Sequence, residues 1–225
     1  MNFTMNSFLG TEQLPTSGQI LMKKYLTLSS ASVFSINLSS TIMILFIIDH
    51  IGYSYTGLIT AIMILTQFLT DYPTGSLGDK IGQKNVLLIA LLFHLLAFIL
   101  LTLSISTSLK LEVYLIIGIA FGLGNAFTSG TIESWLDNNY NSLVGPNYDV
   151  DRKIYGFSTS RVDSFTIIPS ITAFMIGGLL SSLINRIVVF QMRILTILIL
   201  MIIVFLFMND SIKFIESSKS NKKLS

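Results

Sequence analysis

The sequence predicts an all-α membrane protein of six transmembrane helices, and three observations carry that expectation. Apolar residues make up 52% of the 225 positions and charged residues only 12%, well under the roughly 25% charge of ordinary soluble domains. The apolar residues gather into six runs, each long enough for the ~20 residues that a helix needs to cross a bilayer core. Runs such as NVLLIALLFHLLAFILLTL and ILTILILMIIVFLFM are continuous, whereas a spanning barrel needs alternating segments of about ten residues.

The runs are bounded by charge or by turn residues, which places the helices at 25 to 48, 53 to 73, 85 to 107, 111 to 136, 157 to 184 and 186 to 208. The first follows Lys23 and Lys24 and closes at Asp49 and His50. Pro73 ends or bends the second, since proline lacks the amide that continues a helix. Residues 1 to 24 form a cytosolic N-terminal segment, polar and mixed, unlike a cleavable leader, so the first helix is expected to be retained. Residues 209 to 225 form a polar, lysine-rich cytosolic tail or the start of a linker.

Charge sets the orientation. With a cytosolic N-terminus and alternating helices, Lys23, Lys24, Lys80, Lys84, Arg152, Lys153, Lys213, Lys219, Lys222 and Lys223 fall inside, and Lys110 and Arg186 outside. That bias places both termini in the cytosol of a multi-pass protein, expected in the plasma membrane. The outer connections near 49 to 54, 107 to 111 and 183 to 187 are short, so neighbouring helices pair as antiparallel hairpins. The longer segment DNNYNSLVGPNYDVDRKIYG reads as a solvated cytosolic connector.

Within TDYPTGSLGDKIGQKNVLL, residues 70 to 88, Gly75, Leu77, Asp79, Lys80, Gly82 and Lys84 stand in the pattern G-x-L-x-D-K-x-G-x-K. Read locally, it is a hinge: Gly75 and Gly78 allow close approach and turn geometry, and Asp79 sits just ahead of a helix whose first amides a carboxylate can cap. The pattern resembles the cytosolic signature between the second and third helices of the major facilitator superfamily of transporters, with Gln83 standing where that family prefers a cation. The resemblance implies an N-terminal six-helix bundle built as a three-plus-three inverted repeat, although no short repeat is visible in the sequence. It also implies that Asp79 and its lysines gate a conformational change rather than bind substrate.

A second stretch, GLGNAFTSGTIESWLDN, looks like the cytosolic end of the fourth helix in many members of the superfamily. Glu133 and Asp137 lie four apart on one face, below a stripe of Gly118, Gly122, Ala126 and Gly130 that permits close helix approach. Many members carry an arginine where Gly118 stands, so a proton relay through that position is not expected here. Arg161 and Asp163 open the fifth apolar run, where charges are costly enough to be paired or to face water. Arg161 is matched to Glu133 or Asp137, and these four residues are the candidates for ion coupling. Ser170, Gly177, Gly178 and Ser181 give the fifth helix its own small face.

Asn37, Gln67, Asn125 and Thr128 are the candidates for substrate contact, being polar residues on helices that line the cavity in the superfamily. His94 is expected to be packed or lipid-adjacent, and Arg193 to snorkel outward. Asp49 and His50 lack the further ligands of a metal site.

The superfamily has twelve helices in two halves, and this chain corresponds to the first half. Three readings follow: a half-length transporter of a small solute, completed by a second six-helix half from another copy or another chain; a truncated, non-transporting remnant; or a six-helix scaffold. An enzyme is not expected, because no nucleophile stands with a base and GSLGDKIG lacks the Gly-Lys-Ser/Thr of a nucleotide loop. No cofactor or metal is implied. Nucleic acid is not an expected partner, and the absence of cysteine excludes disulfides and thiolate chemistry.

Overall fold

The computed structural model describes residues 4–104, 111–144 and 148–209, and every regular element among them is a helix. Lys110, Lys213, Lys219, Lys222 and Lys223, which enter the charge count above, lie outside the described residues, as does nearly all of the tail.

The chain opens with α1 (Met5–Leu9), whose first turn is capped by the Thr4 side chain accepting from the Ser7 amide. Gly10 then reverses direction with φ 67°, and a Cβ there would stand 2.6 Å from the Phe157 ring, so the glycine lets α1 lie directly on the helix Lys153–Phe165. The N-terminal segment is thus folded onto the bundle.

After Pro15 come α2 (Thr16–Asn37) and α3 (Ser40–Ile81). The expected first helix is therefore two pieces, parted at Leu38 and Ser39. Within α3 the backbone breaks at Gly52, where φ 80° and ψ 170° are glycine geometry. The whole stretch from Thr16 to Ile81 is 66 residues, about 99 Å at the α-helical rise, enough for two crossings of a ~30 Å hydrocarbon core.

Pro73 does not end the second helix. The helix continues through it to Ile81, while the Thr70 and Thr74 hydroxyls donate to the carbonyls of Thr66 (2.6 Å) and Asp71 (2.8 Å). Residues 70 to 88 are consequently not a polar hinge but helix, then the single residue Gly82 (φ 90°), then the start of α4 (Gln83–Leu103). Asp79 lies in the last turn of α3 and caps nothing; the N-terminus of α4 has no side-chain cap. Gln83, the departure from the signature, folds its amide over Gly78, where a Cβ would stand 2.5 Å from it.

The remaining helices are α5 (Leu111–Thr128), α6 (Thr131–Leu143), α7 (Lys153–Phe165), α8 (Ile167–Leu183) and α9 (Arg186–Phe207). The expected fourth helix is broken at Gly130, where φ is 66°, and the expected fifth is divided at Thr166. Asn185 caps α9 by accepting from the Val188 amide. Among the described residues, five stretches, from Thr16–Ile81 to Arg186–Phe207, are long and apolar enough to cross a membrane. Ile64, Leu65, Phe68 and Leu69 on α3 are each more than half exposed, an apolar surface compatible with a membrane protein.

Contacts between named residues give the helix directions. Beyond Gly52, α3 runs parallel to α5: a Cβ on Gly118 would meet Ile59, and one on Gly122 would meet Met63 and Thr66. Likewise α2 continues in the direction of α7 and α8, from Ser158 Oγ donating to Leu9 O (2.8 Å) to Asn37 Nδ2 donating to Ser170 Oγ (2.7 Å). Gly177 lies so close to Leu38 that a side chain there would collide with its carbonyl. The partners of these pairs are antiparallel, α4 against α5 through Phe98 and Phe121, and α4 against α9 through Lys84 with Phe205 and Phe98 with Phe190.

The elements meet at two ends. One gathers α1, the start of α2, Gly82, α6, the start of α7 and the end of α9; the other carries the Asp49–Arg186 ion pair.

Candidate functional site

At the first end, a cleft of about 450 Å³ opens between the end of α3 and α6 and is lined by Gly75, Asp79, Gln83, Glu133, Asp137 and Tyr155, among others. Two groups far apart in sequence, the signature aspartate Asp79 and the acid pair Glu133 and Asp137 of the fourth helix, thus share one mouth. Local geometry explains it. The left-handed Gly130 redirects the chain into α6, whose inner face buries Trp135 and Leu136. Trp135 Nε1 donates to Asn209 O at 2.8 Å, and Asn139 Nδ2 reaches the same carbonyl at 3.3 Å, tying α6 to the end of α9. The outer face then presents Glu133 and Asp137. Asp79, Glu133 and Asp137 supply three carboxylates, and among the described residues no lysine or arginine lines the cleft.

The charge partners differ from those expected. Asp137 pairs with Arg152, and not with Arg161. Arg161 stands over the Phe157 ring at 4.7 Å and the Phe8 ring at 5.8 Å. The reason is the turn before α7: Arg152 adopts φ 53° and stacks on Tyr155 at 4.1 Å, which carries its guanidinium back to α6. Asp149 holds that turn, accepting from the amides of Ile154 (3.1 Å) and Tyr155 (2.8 Å) and from the Tyr140 hydroxyl (2.8 Å). Burial pushes the Asp149 carboxyl up, but these donors outweigh it and hold the group below the usual carboxylate range. Part of the segment expected to be a plain connector is therefore built into the wall of the cleft.

Of the remaining signature residues, Leu77 is half-buried and Lys80 is exposed. Lys84 donates to Phe205 O at 2.8 Å and lies over the Phe205 ring, fastening the start of α4 to the end of α9. Glu133 and Asp163 are exposed.

A second space lies inside the bundle, about 220 Å³, walled by Met43, Met63, Phe98 and Phe121 with Ser39, His94, Asn125 and Arg193 among its polar lining. Of the four substrate-contact candidates, only Asn125 lines it. Asn37 bridges α2 to α8 through Ser170, Thr128 returns its hydroxyl to Gly124 O in its own helix (2.8 Å), and Gln67 is half-buried on α3 away from this space.

Arg193 does not snorkel. It is 4% exposed, donates through Nη1 to Ser35 Oγ, and lies over the Phe98 ring at 5.4 Å. Ser35 also shares a hydrogen bond with Thr196 at 3.0 Å. Among the described residues the ion pairs are Arg152–Asp137, Lys153–Asp151 and Arg186–Asp49, so no carboxylate neutralises Arg193. Its Nε finds no hydrogen-bond partner, nor does His94 Nδ1 on the facing helix. A buried charge with no counter-ion is costly, and the unpartnered Nε adds to that cost. As the eighth residue of the run 186 to 208, Arg193 stands near enough to its end to reach water, and the signal that could have found it is its place on the same helix face as Phe190 and Ile197.

Comparison with known proteins finds no matching family model, no matching curated protein and no matching solved structure.

Proposed function

We propose that the chain is a six-helix bundle of a secondary transporter that moves a small solute across the membrane by alternating access, of the major facilitator type that residues 70 to 88 resemble. The observation that carries this reading is the pairing of the helices. Exchanging the first three passages for the last three leaves the pairing unchanged: α3 beside α5 corresponds to α8 beside α2, α4 beside α5 corresponds to α9 beside α2, and α4 beside α9 maps onto itself. Both parallel contacts are made through glycine, Gly118 and Gly122 in one and Gly177 in the other. The two triplets run in opposite senses, since α2 starts where α6 finishes, with Ser17 Oγ donating to Leu143 O at 3.4 Å. An inverted repeat of this kind is the framework on which many secondary transporters rock between two open states.

On this reading the end that carries Lys84, Arg152 and Lys153 is cytosolic, following the excess of basic residues. The cleft holding Asp79, Glu133 and Asp137 is a gate on that side, and a second six-helix half completes the solute path.

The chain lacks cysteine, so single cysteines report without background. Cysteines placed at Asn37, Gln67 and Asn125 are to be labelled with an impermeant maleimide in sealed native-membrane vesicles of both orientations. Alternating access requires that at least one of these positions react from either side. Reaction from one side only, or from neither, at all three positions would refute transport and favour the scaffold.

A further inference from the structure

We infer that the space inside the bundle, where Arg193, His94 and Asn125 converge, binds a small organic monoanion through its carboxylate, with the apolar remainder of the ligand against Met63, Phe98 and Phe121.

The polar atoms come first. Arg193 and His94 are 4% and 6% exposed, both line the space, and each carries a nitrogen without a partner, Nε and Nδ1. A purely structural arginine in an apolar interior spreads its hydrogens over carbonyls and hydroxyls, because an unsatisfied buried donor is costly. Here Ser35 accepts from Nη1, and Nε is left without a partner. An oxyanion accepts from a guanidinium edge in the short, charge-assisted geometry that arginine's planar fork favours. The Asn125 amide adds a donor, and the His94 ring, fixed where a Cβ on Gly124 would stand 2.9 Å from it, closes the wall.

The charge balance and the walls narrow the class. Among the described residues Arg193 is the sole arginine or lysine lining the space, so one negative charge is neutralised and a second would be buried unpaired. That disfavours phosphate or sulfate dianions. At about 220 Å³ the space is roughly seven times the ~30 Å³ share of a water molecule in the liquid, far more than a halide fills. Its walls of methionine, isoleucine and phenylalanine suit a short aliphatic or aromatic body. As a binding site this stands independently of transport; as the identity of the transported solute it rests on the transport reading above.

The test uses the full chain, purified in detergent in a buffer of HEPES and Tris, titrated calorimetrically with benzoate and butyrate and, in parallel, with benzamide, butyramide and chloride. Saturable binding of at least one carboxylate is expected, with its amide at least about tenfold weaker, the scale of one lost charge-assisted hydrogen bond. Arg193→Met, which removes the buried charge but keeps an apolar side chain, is expected to weaken carboxylate binding by about 10- to 100-fold. Should that variant fail to fold, Asn125→Leu, which fills the space and leaves the arginine, is expected to abolish binding. The inference is overturned if neither carboxylate binds saturably, if carboxylate and amide bind alike, if either variant binds as the unaltered chain does, or if chloride displaces the carboxylate at equal concentration. Cysteines reactive from one side only, together with intact carboxylate binding, would sink transport and leave the site standing.

Discussion

Gly122→Ala tests the close packing of α5 on α3, which sets the width of the bundle. A Cβ at Gly122 would lie 2.5 Å from Met63 O and 2.7 Å from Thr66 Cβ, the first about 0.9 Å short of the 3.4 Å at which ordinary contact begins. The obstacle is backbone, so no rotamer change relieves it and the two helices must separate. Overpacking of this kind costs about 1–3 kcal/mol, against which the glycine-to-alanine gain in helix propensity returns about 1 kcal/mol. A net loss of up to about 2 kcal/mol is expected. Two other glycines calibrate it. At Gly118 the Cβ would meet Ile59 Cγ2 at 3.0 Å and Ile59 O at 3.2 Å, and at Gly178 nothing lies within 4 Å. Gly118→Ala should therefore fall near neutrality, and Gly178→Ala should gain up to about 1 kcal/mol. The assay is the fraction of monodisperse protein that survives heating in detergent, read by size-exclusion chromatography of a fluorescent fusion. The expected order of stability is Gly178→Ala, then Gly118→Ala, then Gly122→Ala. A Gly122→Ala protein as stable as Gly178→Ala would refute the packing.

Other perturbations have defined outcomes. Asp149→Ala removes the acceptor for the Ile154 and Tyr155 amides and should cost about 1 kcal/mol, as lost helix caps do; a thermal melt at pH 7 checks it. The folded Asp149 carboxyl is held below its usual range, so its contribution is complete above the unfolded value and disappears as pH falls through the folded one. Melts between pH 7 and pH 3 should accordingly show a smaller acid loss in Asp149→Asn than in the unaltered chain. Asp137→Asn breaks the pair with Arg152, but the two side chains are 41% and 43% exposed, so stability should change by less than about 1 kcal/mol. In sealed vesicles, cysteines at Glu12 and Asp49 should react with an impermeant maleimide from opposite sides, as residues at opposite ends of the bundle.

The apolar runs were legible because a bilayer-length helix needs only composition and length, and the sixth, 186 to 208, falls within a residue of α9 at Arg186–Phe207. Breaks inside the runs were not legible. Gly52 and Gly130 take positive φ while Gly57 and Gly75 stay helical, and nothing local in the sequence separates the two pairs, because glycine permits both. Pro73 read as an end or a bend because its cost is judged on an isolated helix. In the structure, the hydroxyls of Thr70 and Thr74 bond the carbonyls of Thr66 and Asp71 in the turns ahead of it, and Thr74 also reaches Ala126 O at 3.3 Å. The acid pair of the fourth helix was legible by its spacing of four, whereas its cation was not. The choice of Arg152 over Arg161 depends on a left-handed turn held by Asp149, a contact between the loop and α7 that no periodicity reports.

Arg193 carries the same lesson into the interior of the bundle. Snorkelling is the sound expectation for a lone arginine near the end of an apolar helix, because the side chain reaches water at little cost. Arg193 lies in the second turn of α9, close enough to the end bearing Asp49 and Arg186 for that escape. Its helix face decides otherwise. Val189, Phe190, Ile197, Leu200 and Val204 are all buried and set the inward side of α9, and position 193 falls on that side, three residues after Phe190 and four before Ile197. The periodicity that makes α9 a packing helix thus forces the guanidinium inward, toward Ser35 on α2 and Phe98 on α4. A leucine at 193 would extend the apolar face without the cost of a buried charge, so the charge is a burden on folding that a bound anion would offset. Arg193→Leu should therefore raise the melting temperature of the ligand-free protein, and a clear fall would show that the arginine holds the bundle together and is not held there for a ligand.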